Sequence, residues 1–426
     1  MNKPRIHPAR QAGAELLRGV LQDGRHLGAQ IDASDSPLAD LDPPERARAS
    51  TIALGVLRHL SSIDRALDAH LRKAPPLGAR MILRVAAWEL LCDNIPPHAV
   101  VNSAVEVAKA RKKTSFHAKL INAVLRSVEK ARTEDWAPLP ERLPKTLRSR
   151  LGKAYGTEAV AAMERAHGGE PPLDLTPRDP GQAADLAARL DGVVLPTGSI
   201  RLARRGQISA LPGYDSGEWW VQDAAAAMPA RLFGDVKGAR CLDLCAAPGG
   251  KMMQLAAAGG DVTALDEDAD RLERVAQNLD RTGLSAQIVT ADATEWTPDG
   301  GFDVILLDAP CSATGTIRRH PDLPHLRALE DLAYVTALQA QLLDRALGWL
   351  NTGGRLVFAT CSLLPDEGEA QLARVVTEGR SRVAPIEAAG VDPAWITEAG
   401  GLRLRPDFWP ETGGMDGFFA ALMTAG

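Results

Sequence analysis

The chain has 426 residues, 45% of them hydrophobic and 24% charged, with 38 glycines and 29 prolines spread along it, a composition that fits a globular protein of two or three domains. The formal net charge of −5 hides an asymmetry: residues 1–150 carry 25 Lys and Arg against 16 Asp and Glu, or +9, whereas residues 151–426 carry 24 against 38, or −14. There is no run of about 18 uninterrupted apolar residues, and Met1 to Gln11 is basic without an apolar core, which argues against a membrane span and a secretory signal and sets the expectation of a cytoplasmic protein.

Five cysteines (Cys92, Cys241, Cys245, Cys311 and Cys361) form no CxxC pair and are too scattered for a disulfide scaffold, so they are expected to be reduced thiols. No metal is expected. The basic front is either a surface for a polyanion or the solvated face of a helical domain, and charge alone leaves both open.

From Ala9 to about Arg132 apolar residues recur at three- and four-residue intervals, as in Ala49, Ile52, Ala53, Val56, Leu57 and Leu60, with Pro43-Pro44, Pro75-Pro76 and Pro96-Pro97 between the runs. This predicts an all-helical domain over 1–135. Its most basic stretch, Lys109 to Lys119, precedes the apolar series Leu120, Ile121, Val124 and Leu125, so one face can pack while the other stays cationic. Trp136 to Pro144 holds three prolines and marks a boundary. A small α+β module is expected over 145–213, with a helix from Gly152 to His167, strands at Leu173–Thr176 and Ile200–Ala203, and a helix from Ala183 to Leu190.

Beyond Tyr214 the rhythm becomes strand, turn, helix: Cys241–Leu244, Val262–Leu265, Gln287–Thr290, Val304–Leu307 and Leu356–Phe358 are short apolar runs, and Gly417–Met423 would close the sheet. The pattern predicts a Rossmann-like α/β domain over 214–426, a parallel sheet covered by helices on both faces. Its first strand runs into Cys245-Ala-Ala-Pro-Gly-Gly-Lys251, a glycine turn before a helix, where backbone N–H groups can approach a ligand closely. It is neither GxGxxG nor a P-loop. Asp266 ends the second strand, where an acid can accept from ribose hydroxyls, and Asp292 ends the third, where a carboxylate can take the adenine amino group. Each could equally cap a helix. Together they favour a nucleoside cofactor without phosphate, of which S-adenosylmethionine is the commonest.

Two further strands run into cysteine, in Asp308-Ala-Pro-Cys311-Ser and Thr360-Cys361-Ser, and ligands in open α/β sheets bind beyond the carboxyl ends of strands. Both thiols should therefore share the cofactor's crevice, whereas Cys92, Cys241 and Cys245 read as packing residues. A thiol beside a methyl donor suits a pyrimidine, because addition at C6 makes C5 nucleophilic enough to take a methyl group. Asp308 is the candidate acid at N3.

Asp-Leu-Cys-Ala-Ala-Pro-Gly-Gly-Lys (243–251), Asp-Ala-Pro-Cys-Ser (308–312) with Arg-Arg-His-Pro-Asp (318–322), Thr-Cys-Ser (360–362) and Asp-Gly-Phe-Phe (416–419) resemble the motif series of the RNA cytosine-5 methyltransferases. Gln222-Asp223 and Lys-Leu-Ile-Asn-Ala-Val-Leu-Arg (119–126) resemble the RsmB (Sun/Fmu) branch, with its NusB-like N-terminal domain. The resemblance implies 16S ribosomal RNA as the partner, Cys361 as nucleophile, Cys311 as the group that assists release, Lys251 in the active site, and Ala247, Gly249, Gly250, Lys251, Asp266, Asp292 and Asp308 around cofactor or target base. It also implies RNA contacts by the NusB-like front, and the chain is expected to act as a monomer. Thr176-Pro177-Arg178 departs from the Arg-Val-Asn-like strand usual in the family. Aromatics are only 4% of residues, so RNA binding is expected to rely on Arg and Lys, with Arg318, Arg319 and His320 as candidate phosphate contacts.

Overall fold

Capping and proline decide where the front helices begin. Asp42 accepts from the Glu45 backbone N–H at 2.9 Å ahead of the helix Pro43–Arg58, and a second proline-led helix spans Pro97–Lys109. The computed structural model describes residues 8–132, 136–203, 207–326 and 331–425. Residues 1–7, part of the basic start discussed above, lie outside the described residues. The chain packs as two units, one formed by the described residues of 1–149, 160–169 and 317–328, the other by those of 150–159, 170–316 and 329–426.

The first unit is helical, with Leu16, Leu17, Ile52, Val56, Ile63, Leu83, Val101, Ile121 and Leu125 in one apolar core. The continuous run expected through Ala47–Leu67 divides at His59 into Pro43–Arg58 and Leu60–Asp68. In the helix Ala118–Ala131, Ile121, Val124 and Leu125 are buried as the spacing requires, but Leu120 is exposed, as is Phe116 before it at 84%. The basic residues Lys109, Arg111, Lys112, Lys113 and Lys119 are exposed too. Within the core, Glu89 is fully buried and accepts from Arg10 Nε and Arg48 Nη2, each at 2.6 Å.

The second unit holds two sheets. The smaller contains β1 (Leu173–Pro177), β2 (Gly192–Val194), β3 (Ile200–Leu202) and β4 (Trp219–Val221), antiparallel in the order β2-β3-β1-β4. Two of these strands were unpredicted, and β4 lies beyond Tyr214. The helix expected from Gly152 to His167 is broken at Gly156, which has φ +83° and separates Lys145–Tyr155 from Thr157–Gly168.

The larger sheet contains β5 (Arg240–Leu244), β6 (Asp261–Asp266), β7 (Gln287–Thr290), β8 (Phe302–Asp308), β9 (Leu350–Thr360), β10 (Ser381–Val383), β11 (Leu402–Leu404) and β12 (Phe418–Ala425). Its order is β10-β12-β9-β8-β5-β6-β7, with β11 also on β12. Strands β5 to β9 are parallel, as expected, and β12 enters antiparallel to β9. Alternation along each strand feeds two apolar layers: Cys241, Val304 and Leu306 pack with Met252, Leu272 and Val275, whereas Leu242, Leu244 and Ile305 pack with Leu342, Leu343 and Leu372. Helices thus cover both faces. Among the described residues no helix is long and apolar enough to cross a membrane.

Replacing Glu89 by alanine strands Arg10 against an apolar core and leaves Arg48 with Asp93 as its remaining partner. Both arginines keep some solvent contact, so the expected loss is about 2 kcal/mol, below the ~3–5 kcal/mol of a fully buried pair. Urea unfolding of the full chain, followed through the helical signal, measures it.

Candidate active site

The first turn of the α/β sheet is built on backbone conformations that side chains resist. Gly249 has φ +100° and caps the helix Gly250–Ala257; a Cβ there would sit 3.3 Å from Met252 and Val275. Cys245 holds φ +61° just after β5. The turn is tied to the neighbouring strand, because Asp266 Oδ2 accepts from the Ala247 N–H at 3.0 Å and Oδ1 from the Asp268 N–H at 3.1 Å. Each Asp266 oxygen retains a second lone pair. Arg271 closes the same corner by donating to the Ala247 carbonyl at 2.5 Å.

Beside this turn is a cleft lined by Cys245, Asp266, Glu267, Arg271, Asp292, Thr294, Pro310 and Leu338, among others. Asp266 and Asp292 therefore line one cavity, as their positions at the ends of β6 and beyond β7 predict. Asp292 also acts as a turn cap: its Oδ1 accepts from the Thr294 hydroxyl and N–H, both at 2.7 Å, and these bonds hold its pKa below the usual carboxylate value. Cys245, read from sequence as packing, lines the cleft. Cys92 and Cys241 fit the packing reading, since burial pushes both thiols up to about 12.

Strand β8 ends at Asp308, which pairs with Ala359 of β9, and the chain beyond each strand turns a cysteine toward the other. The Cys311 and Cys361 sulfurs are 3.3 Å apart. Their hydrogen bond, followed by burial, pushes Cys311 well above the ordinary thiol range. Asp308 accepts from Lys251 Nζ at 2.7 Å, and Nζ lies 5.0 Å from the centre of the Phe418 ring. Burial pulls the Lys251 pKa down, but the Asp308 carboxylate outweighs it and the net shift is upward. The pair's stabilisation is fully present below the ordinary lysine value of 10.5 and is lost as pH rises through the raised one.

Sequence reasoning missed two groups. Asp243, in the strand before the glycine turn, is buried, and burial first and Asp308 second lift its pKa well above the carboxylate range. Glu367 is fully buried and accepts from the Ser312 N–H at 2.8 Å and from the Ser312 and Ser362 hydroxyls at 2.5 Å each. Both lie in segments that look like ordinary strand or turn, and only burial sets them apart from nearby acids. Asp223 Oδ1 accepts from the Asp416 N–H at 3.0 Å, and the Gly417 N–H donates to the Gly315 carbonyl at 2.8 Å, so several of the quoted motifs meet as scaffold.

One expectation is corrected. Arg318 is not a surface contact for phosphate: it is 1% exposed within the helical unit, and its carbonyl accepts from Arg58 Nη2 at 2.8 Å. His320 is exposed.

Comparison with known proteins adds relatives to this geometry. Residues 232–424 match the model of the 16S rRNA methyltransferase RsmB/F family, and residues 7–130 match the NusB family. A curated relative from Klebsiella pneumoniae, described as ribosomal RNA small subunit methyltransferase B, is 36% identical over 403 residues, covering 89% of this chain and 92% of its own. Among solved structures, a methyltransferase homologue from Pyrococcus horikoshii is 27% identical with a TM-score of 0.57, covering 66% of this chain and 94% of its own. The NSun6 protein of Pyrococcus horikoshii, solved with SFG, shares the fold at 18% identity and a TM-score of 0.57, covering 67% of this chain and 99% of its own.

Gly249→Val places a branched side chain at φ +100° against Met252 and Val275. Strain of about 1–2 kcal/mol in the turn predicts S-adenosylmethionine affinity roughly tenfold weaker. Isothermal calorimetry of the full chain measures it.

Proposed function

We propose, from the premise that this chain belongs to the ribosomal RNA small subunit methyltransferase B family, that it methylates C5 of a cytosine in 16S ribosomal RNA through a covalent bond between Cys361 and C6. The family is S-adenosylmethionine-dependent, and S-adenosylmethionine supplies an electrophilic methyl group. The residues present fit that molecule: Asp266 and Asp292 line one cleft and keep lone pairs for hydroxyl and amino donors, and Gly249 leaves the turn free of a side chain.

The observation that carries the reading is the 3.3 Å approach of two thiols beyond adjacent parallel strands. A methyltransferase that only aligned a nucleophilic substrate would need neither. In the proposed reaction the Cys361 thiolate adds to C6, and the electrons displaced make C5 enamine-like. Lys251 donates to Asp308 at 2.7 Å, and this hydrogen-bonded pair is suited to stabilise the ring at N3 as the adduct forms. After C5 has taken its methyl group, loss of the C5 proton re-forms the 5,6 double bond and expels Cys361. Cys311 stands beside the departing sulfur and assists release. The target base must leave its stack to reach this pair, so a nucleotide in a loop or single strand is the expected substrate.

The proposal is tested with 16S ribosomal RNA that lacks the modification, by bisulfite mapping after incubation. One new 5-methylcytosine is expected, and no methylation of the RNA would end the reading. Cys361→Ala should abolish turnover, whereas Cys311→Ala should accumulate a protein–RNA adduct that survives denaturing electrophoresis. Absence of that adduct would overturn the division of labour between the two thiols.

A further inference from the structure

The register of β8 and β9 brings the two loops that carry the thiols to one edge of the sheet, and contacts beyond the strands must set how far apart the sulfurs sit. Glu367 lies in the turn Pro365–Glu367, beyond both cysteines, with no exposure to solvent. Its Oε1 accepts from the Ser312 N–H at 2.8 Å and from Gln339 Nε2 at 3.1 Å; its Oε2 accepts from the hydroxyls of Ser312 and Ser362, each at 2.5 Å. Ser312 follows Cys311 and Ser362 follows Cys361. One buried carboxylate therefore grips the residue next to each thiol.

The grip is reinforced from both sides. The two serine hydroxyls are 3.2 Å apart, Thr314 Oγ1 is 3.1 Å from Ser362 Oγ and accepts from the Leu363 N–H at 2.9 Å, and the Gly315 N–H donates to the Cys361 carbonyl at 2.9 Å. Gln339 reaches in from the helix Leu332–Gly348, donating to the Pro310 carbonyl at 2.8 Å as well as to Glu367. A carboxylate is acceptor-only when ionised, and here four donors converge on it. Without it, the two serines and the backbone N–H beside the thiols would be buried without a common partner.

We propose that Glu367 is a positioning residue that fixes the separation of the Cys311 and Cys361 sulfurs by binding Ser312 and Ser362. It acts through those serines, and the proposal deepens the covalent reading above and rests on it for its catalytic consequence. Its geometric content stands apart from that reading, which allows the two to be tested separately.

The full-length protein, Glu367→Gln and Glu367→Ala are treated with diamide, which oxidises the two thiols to a disulfide and takes up their two hydrogens as it is reduced to the hydrazine. Cys311–Cys361 disulfide is followed by mass spectrometry after alkylation of free thiols, with neither RNA nor methyl donor present. Both thiols are partly accessible. Glu367→Ala should form the disulfide at least tenfold more slowly than the unaltered protein. Glu367→Gln should stay within about threefold of it, since a side-chain amide of the same shape retains one acceptor and can donate to serine hydroxyls free to rotate. In turnover, Glu367→Ala should lose about a hundredfold in kcat, the scale of an ångström of misplacement, with KM for RNA unchanged and kcat restored in Glu367→Gln.

A disulfide rate in Glu367→Ala equal to that of the unaltered protein overturns the proposal, as does an equal loss in both variants. If circular dichroism shows that Glu367→Ala does not fold, the Ser312→Ala, Ser362→Ala double variant takes its place, and an unaltered disulfide rate there is again fatal. Failure of the covalent reading shows elsewhere, as absence of an RNA adduct with Cys311→Ala.

Discussion

The site depends on the parallel register of β8 and β9. Once Asp308 is set against Ala359, the chain leaving β8 needs three residues to reach Cys311 and the chain leaving β9 needs one to reach Cys361. Parallel strands end on the same edge of the sheet, so two residues fifty positions apart in sequence meet without a long connection. The strand interiors secure that register: Ile305, Leu306, Leu307, Leu356, Val357 and Phe358 are all buried, and a slip of one residue would turn each to the opposite layer. Apolar packing some distance from the thiols thus brings the two loops together, and the Glu367 hydrogen bonds to Ser312 and Ser362 set the final separation of the sulfurs.

The same edge concentrates acids. Asp243, Asp266 and Asp308 lie near the ends of three adjacent strands, the first two buried and the third partly so, and three such carboxylates cannot all ionise cheaply in one place. The structure resolves the conflict by giving each a different environment. Asp308 has Lys251, Asp266 has two backbone N–H groups, and Asp243, deepest of the three, has its pKa raised by burial, which disfavours its charged form. Lys251 in turn keeps its charge in a buried setting because Asp308 is there. A cationic cofactor and a target base would therefore meet a site whose charges are already paired, with little reorganisation left for the moment of reaction.

Much of this was legible in the sequence because strand ends and glycine turns leave local marks. The runs Cys241–Leu244 and Val304–Leu307 are apolar and of strand length, and they proved to lie in strands one and three residues longer, respectively. The two cysteines beyond β8 and β9 were distinguishable from the other three by their flanking polar residues. What local pattern could not supply was burial of charge. Arg318 reads as a loop cation beside Arg319 and His320, and local pattern gives no sign that the described residues of 317–326 pack with the helical unit, where Arg318 is enclosed. Glu367 sits among Asp366 and Glu369 in a segment that any sequence reading takes for solvated turn. Leu120 fails for the opposite reason: it belongs to an apolar series, but at helical spacing it falls one position outside the stripe that Ile121, Val124 and Leu125 bury.

The charge asymmetry takes on meaning at the same level. The exposed members of the basic front include Lys109, Arg111, Lys112, Lys113 and Lys119, the set that stands beside the exposed ring of Phe116. Several other cations of the front are spent internally: Arg10 and Arg48 on Glu89, Arg80 and Arg84 on Asp64. The cations committed to internal acids contribute little field outside the helical unit, whereas Lys109, Lys112, Lys113 and Lys119 stand exposed on and around one short helix, Lys112–Ser115, and add to the +9 excess over residues 1–150 there. A field concentrated in this way attracts a polyanion more steeply than the same charge dispersed, and it loses that attraction as salt rises.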